Sequence, residues 1–326
     1  MTKAFTSLLD NANNILIVTH KSPDGDAIGS SVACARFIQS LGKKAFVLLP
    51  DLPPKNLMSF LNDIEFSIYS DFNAEDNSFD LLFCLDFNHS FRVGEAMEPF
   101  IVGFEGPKIM IDHHPNPTEF CDLTISRPEV CSTAQLLYEV IEEADLSEHI
   151  TKEASEAIYL GIMMDTGSFR FPSVTAKTHQ VLSALLTKGV RSFEVHESVY
   201  DQSTKERILL RAHLVSNKFH QIDGTPIGYM SLTQDEQRRF SFEKGDAEGL
   251  VNVPLSIEGI SISVFMTENE EGKVKMSFRS KGAYIVNTFA EAHFNGGGHK
   301  YAAGGFSHDN MSATIEKLIS LSKELI

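Results

Sequence analysis

His20, Asp24 and Asp26 fall within one short stretch, His-Lys-Ser-Pro-Asp-Gly-Asp, that directly follows an apolar run at 15–18. Asp86 closes a second apolar run at 81–85, and Asp112, His113 and His114 close a third at 108–111. Asp165 ends an apolar-periodic stretch at 152–164. Carboxylates gathered at a sheet edge repel one another and pay a large desolvation cost unless cations neutralise them. Four or five aspartates with two or three histidines suit two divalent ions sharing one bridging carboxylate. Oxygen and imidazole ligation favours Mn²⁺, with Mg²⁺, Fe²⁺ or Co²⁺ as substitutes, and no thiolate accompanies the cluster to suggest structural zinc. Two such ions activate a water and stabilise an in-line displacement at phosphorus, so the chemistry is phosphoester hydrolysis.

Each group also has an ordinary structural use. Pro23 and Gly25 suit a turn with Asp26 as a cap, Asp86 could close a strand, and His113-His114 precede Pro115 as surface residues would. Asp165-Thr166-Gly167 reads equally as a helix end. The recurrence of Asp or His at four successive element ends sets the metal reading above these. His89 and Arg92 follow Asp86 closely, and Arg170 follows Asp165; each could reach a substrate or lie in an exposed turn.

Those ends require a particular scaffold. Apolar runs at 15–18, 45–49, 81–85 and 108–111 read as buried strands, and the segments at 28–41, 132–143, 152–164 and 176–188 have helical periodicity. Strand and helix alternate, which predicts an α/β fold with a mostly parallel sheet covered on both faces, where ligands bind at the carboxyl ends of the strands. Residues 192–219 are charged and helical in pattern. After them the character changes: strands are expected at 227–232, 260–267 and 274–278, with Glu270-Glu271-Gly272 turning a hairpin, and a last helix at about 312–325. The expected domains are a metal-binding catalytic domain at 1–190, a helical connector at 191–222 and a smaller α/β domain with a mixed sheet at 223–326.

Composition narrows the function classes. At 326 residues and 42% hydrophobic content the chain has room for two packed domains. A net charge of -16 argues against a general nucleic-acid-binding surface, although metals and a few local cations can still hold short anions. The four cysteines form no Cys-x-x-Cys pair, and Cys34 and Cys84, which lie in apolar runs, read as buried thiols. Neither a signal-peptide core nor an 18-residue apolar run occurs, so a cytoplasmic location is expected.

The order His20-x-x-x-Asp24-x-Asp26, Asp86, Asp112-His113-His114, Asp165 resembles the four motifs of the DHH phosphoesterase superfamily. Arg279-Ser280-Lys281-Gly282 and Gly296-Gly297-Gly298-His299 resemble the DHH-associated domain of its oligoribonuclease branch, which includes the bifunctional nanoRNases that are also pAp phosphatases. The resemblance implies one ion held by His20, Asp24 and Asp86 and another by Asp26, Asp86, His113 and Asp165. It implies His114 facing the scissile phosphate with Asp112 behind it, and Arg279, Gly297, Gly298 and His299 binding a substrate phosphate. The expected activity is therefore hydrolysis of short oligoribonucleotides to mononucleotides, or of pAp to AMP, by a two-metal-activated water. Expected partners are these small substrates and no long duplex nucleic acid or membrane; a homodimer is left open. Competing readings are a cyclic-dinucleotide phosphodiesterase, a single-strand exonuclease, an inorganic pyro- or polyphosphatase, and a non-enzymatic nucleotide-binding regulator.

Overall fold

A computed structural model describes residues 1–73, 78–243, 245–247 and 249–326. Two compact units divide the chain, Met1–Gln202 and Ser203–Ile326.

The first unit is built on six strands: β1 (Asn14–Val18), β2 (Lys44–Leu49), β3 (Phe66–Ile68), β4 (Leu81–Leu85), β5 (Lys108–Asp112) and β6 (Leu123–Ser126). They pair in the order β3-β2-β1-β4-β5-β6, every pair parallel. The pleat decides which core each side chain joins. Ile15, Ile17, Leu81, Phe83 and Leu85 face one way, against α1 (Thr2–Asn11), α2 (Gly25–Ser40), α4 (Thr133–Glu143) and α5 (Lys152–Asp165). Leu16, Val18, Leu82 and Cys84 face the other way, against Val93, Met97 and Ile101, the last on the short α3 (Glu98–Val102). Strands buried on both sides must be apolar throughout, which is why β4 is Leu-Leu-Phe-Cys-Leu without a polar break. Two further helices, α6 (Ala176–Thr187) and α7 (Ser192–Tyr200), complete the unit.

Strand order reverses direction between β1 and β4. Crossovers diverge there and leave a crevice at the carboxyl ends of the strands; His20 and Asp86 lie just beyond the ends of these two strands. The helix pair behind them is unusually close. A Cβ at Gly29 of α2 would fall 2.6 Å from the Ala157 carbonyl of α5, and one at Gly161 of α5 would fall 2.6 Å from Asp26 Oδ1. Glycine at both positions lets the two backbones approach, which brings the first turn of α2 alongside the last turns of α5.

The second unit carries α8 (Lys205–His213), continued by a π turn at Leu214–Lys218, then β7 (His220–Gln221), β8 (Ile227–Leu232), α9 (Gln234–Arg239), β9 (Ile262–Glu268), β10 (Val274–Ser280), α10 (Asn287–His293), β11 (Gly297–His299), β12 (Ala302–Ser307) and α11 (Met311–Leu321). The sheet order is β11-β12-β10-β9-β8-β7, with only β8 and β9 parallel, so it is mixed. Met230, Leu232 and Phe265 pack on Leu210 and Leu214; Val264, Met276 and Phe278 pack on Phe289, Phe294 and Leu318. Gly272, with φ at +75°, turns the β9–β10 hairpin. Much of the glycine cluster at 296–305 is the β11–β12 hairpin. Gly298 has φ at +137°, and a Cβ there would fall 2.6 Å from the Ala302 carbonyl, so the close strand pairing itself demands glycine.

Cys34, Cys84, Cys121 and Cys131 are free thiols, all buried except the partly exposed Cys121. No helix among the described residues is long and apolar enough to cross a membrane.

Candidate metal centre

The first unit brings His20, Asp24, Asp26, Asp86, Asp112, His113, His114 and Asp165 together. Asp24 is the N-cap of α2, its Oδ1 accepting from the Asp26 and Ala27 amides at 3.1 Å. Asp26 lies in the first turn of α2 and Asp165 ends α5. Asp112 ends β5 and hands the chain to His113 and His114.

Asp86 is the hub. Its Oδ2 lies 3.5 Å from His20 Nε2, and its Oδ1 lies 3.7 Å from His113 Nε2. Around the first oxygen stand His20 and Asp24, with His20 Nε2 3.8 Å from Asp24 Oδ1. Near the second stands His113, whose Nε2 is 4.0 Å from Asp26 Oδ2 and 3.6 Å from Asp165 Oδ2. Two ligand sets with the spacing of a metal site result, His20–Asp24–Asp86 and Asp26–His113–Asp165, and Asp86 also groups with His113 and His114. Asp26 and Asp86 are 2% exposed, whereas the Asp24 and Asp165 side chains are 57% and 34% exposed, so the cluster opens to solvent on one side. Asp86 holds φ at +67°, a left-handed conformation that aspartate tolerates better than most residues and that turns its carboxylate across the ends of the strands.

The surroundings fit divalent ions. His20 Nδ1 lies 2.9 Å from the Lys21 carbonyl and His113 Nδ1 lies 3.2 Å from the Val130 carbonyl. A carbonyl only accepts, so both Nδ1 atoms donate and both Nε2 atoms face the carboxylates, which leaves Nε2 as the position a metal would take once its proton is displaced. Among the described residues no lysine or arginine pairs with Asp24, Asp26, Asp86 or Asp165, so no permanent cation offsets the negative charge. Burial, with the neighbouring Asp86 charge at Asp26 and the Asp24 and Asp86 charges at Asp165, pushes both well above the usual carboxylate range. Burial alone would lower His20, but hydrogen bonds and charge from Asp24 and Asp86 outweigh it and hold its pKa well above the usual value. Asp86 goes the other way: burial is outweighed by His20, His113 and His114, and its pKa is lowered.

In the metal-free protein, groups with raised pKa values retain protons that entering cations must displace. Metal affinity should therefore fall as pH falls, and binding of Mn²⁺ at neutral pH should release roughly one proton or more per chain. Titration calorimetry in buffers of different ionisation enthalpy measures this; uptake of Mn²⁺ without proton release would contradict it.

Thr133 is a member that sequence reading passed over. Its hydroxyl donates to Asp86 Oδ1 at 2.8 Å, while the Thr133 and Ala134 amides donate to Asp26 at 2.6 and 2.9 Å. These amides open α4, whose N-terminal dipole favours a carboxylate. The available signal was Ser132-Thr133 at the start of a periodic helix. His114 differs from His113: its Nδ1 lies 2.7 Å from Asp112 Oδ1, and its amide donates to Asp112 Oδ2 at 3.0 Å. Asp112 is wholly buried and fixes the ring rather than joining either ligand set.

The second unit carries its four candidates on β10 and β11, two strands separated by β12. Arg279 of β10 lies opposite Ala302 of β12, and His299 of β11 lies opposite the same Ala302. Directly opposed residues share a sheet face, so a single methyl separates the two side-chain rows. Arg279 also donates to the Phe278 carbonyl at 2.9 Å. Gly297 and Gly298 run along β11, the edge strand.

A parallel α/β unit with a carboxylate–imidazole centre for divalent ions at its strand ends defines a metal-dependent phosphoesterase. Comparisons with known proteins agree. Residues 14–162 match the DHH family, N-terminal domain, and residues 225–326 match the DHHA1 domain. The chain is 32% identical to the bifunctional oligoribonuclease and PAP phosphatase NrnA of Thermus thermophilus, over 89% of this chain and 83% of that protein. It is 26% identical to the cyclic-di-AMP phosphodiesterase GdpP of Bacillus subtilis, over 97% of this chain but only 48% of that longer one. The crystal structure of an exopolyphosphatase-related protein from Bacteroides fragilis superposes with a TM-score of 0.94 at 35% identity, covering 99% of this chain and 95% of that one. The chain belongs to the DHH family of phosphoesterases.

Proposed function

We propose that this chain is a Mn²⁺-dependent phosphoesterase that hydrolyses short oligoribonucleotides to mononucleotides and pAp to AMP. The observation that carries the reading is the Asp86 carboxylate, one oxygen turned to His20 and the other to His113, with a ligand set on each side. His20, Asp24 and Asp86 would hold one ion and Asp26, Asp86, His113 and Asp165 the other. Ions bound there supply the positive charge that offsets a phosphate's own and lowers the pKa of the attacking water.

The chain's own residues do the rest. Thr133 and the α4 amides hold Asp86 and Asp26 in place. Asp112 accepts the hydrogen bond from His114 Nδ1–H and orients the ring, so a proton at Nε2 can pass to the leaving oxygen. Arg279, Gly297, Gly298 and His299 would bind a second substrate phosphate, the guanidinium bidentately and the glycine amides at close range. The length match to NrnA relatives favours short linear substrates; the GdpP relationship favours cyclic dinucleotides as the second reading.

Side-by-side turnover with Mn²⁺ on pAp, a diribonucleotide, a long oligoribonucleotide, cyclic di-AMP, pApA and pyrophosphate tests the proposal. The specificity constant should be highest for pAp and the dinucleotide and fall with length, because a net charge of -16 repels each added phosphate. Salt should soften that fall. A flat or rising length profile would contradict the reading, and a preference for cyclic di-AMP or pApA would favour the second.

A further inference from the structure

Just beyond Asp86, a short segment ending in a tight helical turn at Ser90–Val93 is tied to both ligand-bearing loops. Asn88 donates its side-chain amide to the Pro115 carbonyl at 2.7 Å, and its own carbonyl accepts from Thr118 N and Oγ1 at 2.9 and 3.1 Å. That anchors one end to the loop that follows His113 and His114. At the other end the Lys21 amide, next to His20, donates to the Arg92 carbonyl at 2.8 Å. Gly94, with φ at +90°, leaves room for the Lys21 chain: a Cβ there would fall 3.0 Å from Lys21 Cδ. Buried Val93 pins the middle, and the Ser90 hydroxyl lies 2.7 Å from Glu98 Oε1.

This rigid strap displays what a core would normally hide. Phe91 is 59% exposed, and the only ring against it among the described residues is His89, near-parallel at 23° with centroids 5.1 Å apart. Arg92 is exposed, and its guanidinium has no hydrogen bond or ion pair among the described residues. Single exposed phenylalanines are ordinary. A stacked pair on a doubly anchored strap beside a metal centre, with a guanidinium next to it, has the parts of a nucleotide site: a flat apolar face for a base and a fork for a phosphate. Glu95 and Glu98 are the nearby acids in sequence; the latter is engaged by Ser90.

We infer that the His89–Phe91 pair is a platform on which a nucleobase of the substrate stacks, with Arg92 meeting a phosphate of that nucleotide. This rests on the proposed function and deepens it: the enzyme reads a base, and is not built for inorganic polyphosphate. The two His89 and Phe91 faces are sequence-tolerant, since every base offers a π face.

The test compares wild type with Phe91→Ala, Phe91→Trp and Arg92→Ala on ApA and on its analogue in which one adenine is replaced by hydrogen. Phe91→Ala should lose roughly 5- to 150-fold in kcat/KM on ApA, mostly in KM, and far less on the base-free analogue. Phe91→Trp should restore most of the loss. Arg92→Ala should lower kcat/KM on both, with melting temperature and Mn²⁺ content unchanged. Equal losses of Phe91→Ala on both substrates, or none, would overturn the platform while leaving the substrate reading intact. Should wild type turn over neither, the substrate reading falls. Quenching of 2-aminopurine riboside 5′-monophosphate then decides the platform alone: lost in Phe91→Ala, it supports the inference, and retained, it overturns it.

Discussion

Asp86→Asn should cut turnover by about 10³-fold or more with every substrate the enzyme accepts. Asparagine keeps the side chain's size, tolerates the left-handed backbone at this position, and still offers one oxygen to Thr133. What it removes is the charge and the second anionic oxygen, and in the proposed centre each ion would take one of these oxygens. Losing several kcal/mol of charge stabilisation in the transition state corresponds to a loss of that order. Asp26→Asn should be milder for the His20 side of the centre, because Asp26 serves only the other set. Measuring kcat on pAp together with the melting temperature separates chemistry from folding. Near-normal turnover in a folded Asp86→Asn would mean that this carboxylate is not shared.

His114→Gln should lower kcat by roughly 10²- to 10⁴-fold on natural esters, the usual range for a lost general acid. The loss should shrink on bis-p-nitrophenyl phosphate, whose leaving group departs without a proton. Metal content should hold, because the His114 Nδ1 is committed to Asp112. Asp112→Asn should follow the same leaving-group pattern more weakly, since it disturbs the tautomer rather than removing the ring. An equal loss on both esters, accompanied by loss of metal, would place His114 among the ligands instead.

Much of this architecture was legible in the residues. β4 is wholly buried and β1 and β5 are buried after their first residue, so each carries an unbroken apolar run, and the first polar residue after that run marks the sheet edge. The helices α2, α4, α5 and α6 declare themselves by periodicity and stop near the expected positions. Edge strands gave no such signal: β3 is Phe-Ser-Ile, partly exposed at every residue, and β6 has a single buried side chain. The β11–β12 hairpin hid in its composition, because glycines required by close strand approach look the same as glycines in a loop. The charged stretch at 192–219 reads as one helical segment, yet α7 belongs to the first unit and α8 to the second, a division set by which core each buried face joins.

At the centre, the ligand-type residues could be listed from motif order, but not their arrangement. No periodicity reveals that Asp86 turns left-handed, or that Thr133 and the opening amides of α4 reach back to Asp86 and Asp26 across more than forty positions. These are tertiary facts. Likewise Gly161 looks like a mild flaw in a helix until its missing Cβ is seen to make room for Asp26.

The most direct measurement is the number of Mn²⁺ ions bound per folded chain, by equilibrium dialysis with elemental analysis, in wild type and in Asp86→Asn. The shared-carboxylate account predicts about two ions in the wild type, and in the variant a loss of affinity at both positions rather than at one. A single ion in the wild type, or a variant that keeps two with unchanged affinity, would contradict it.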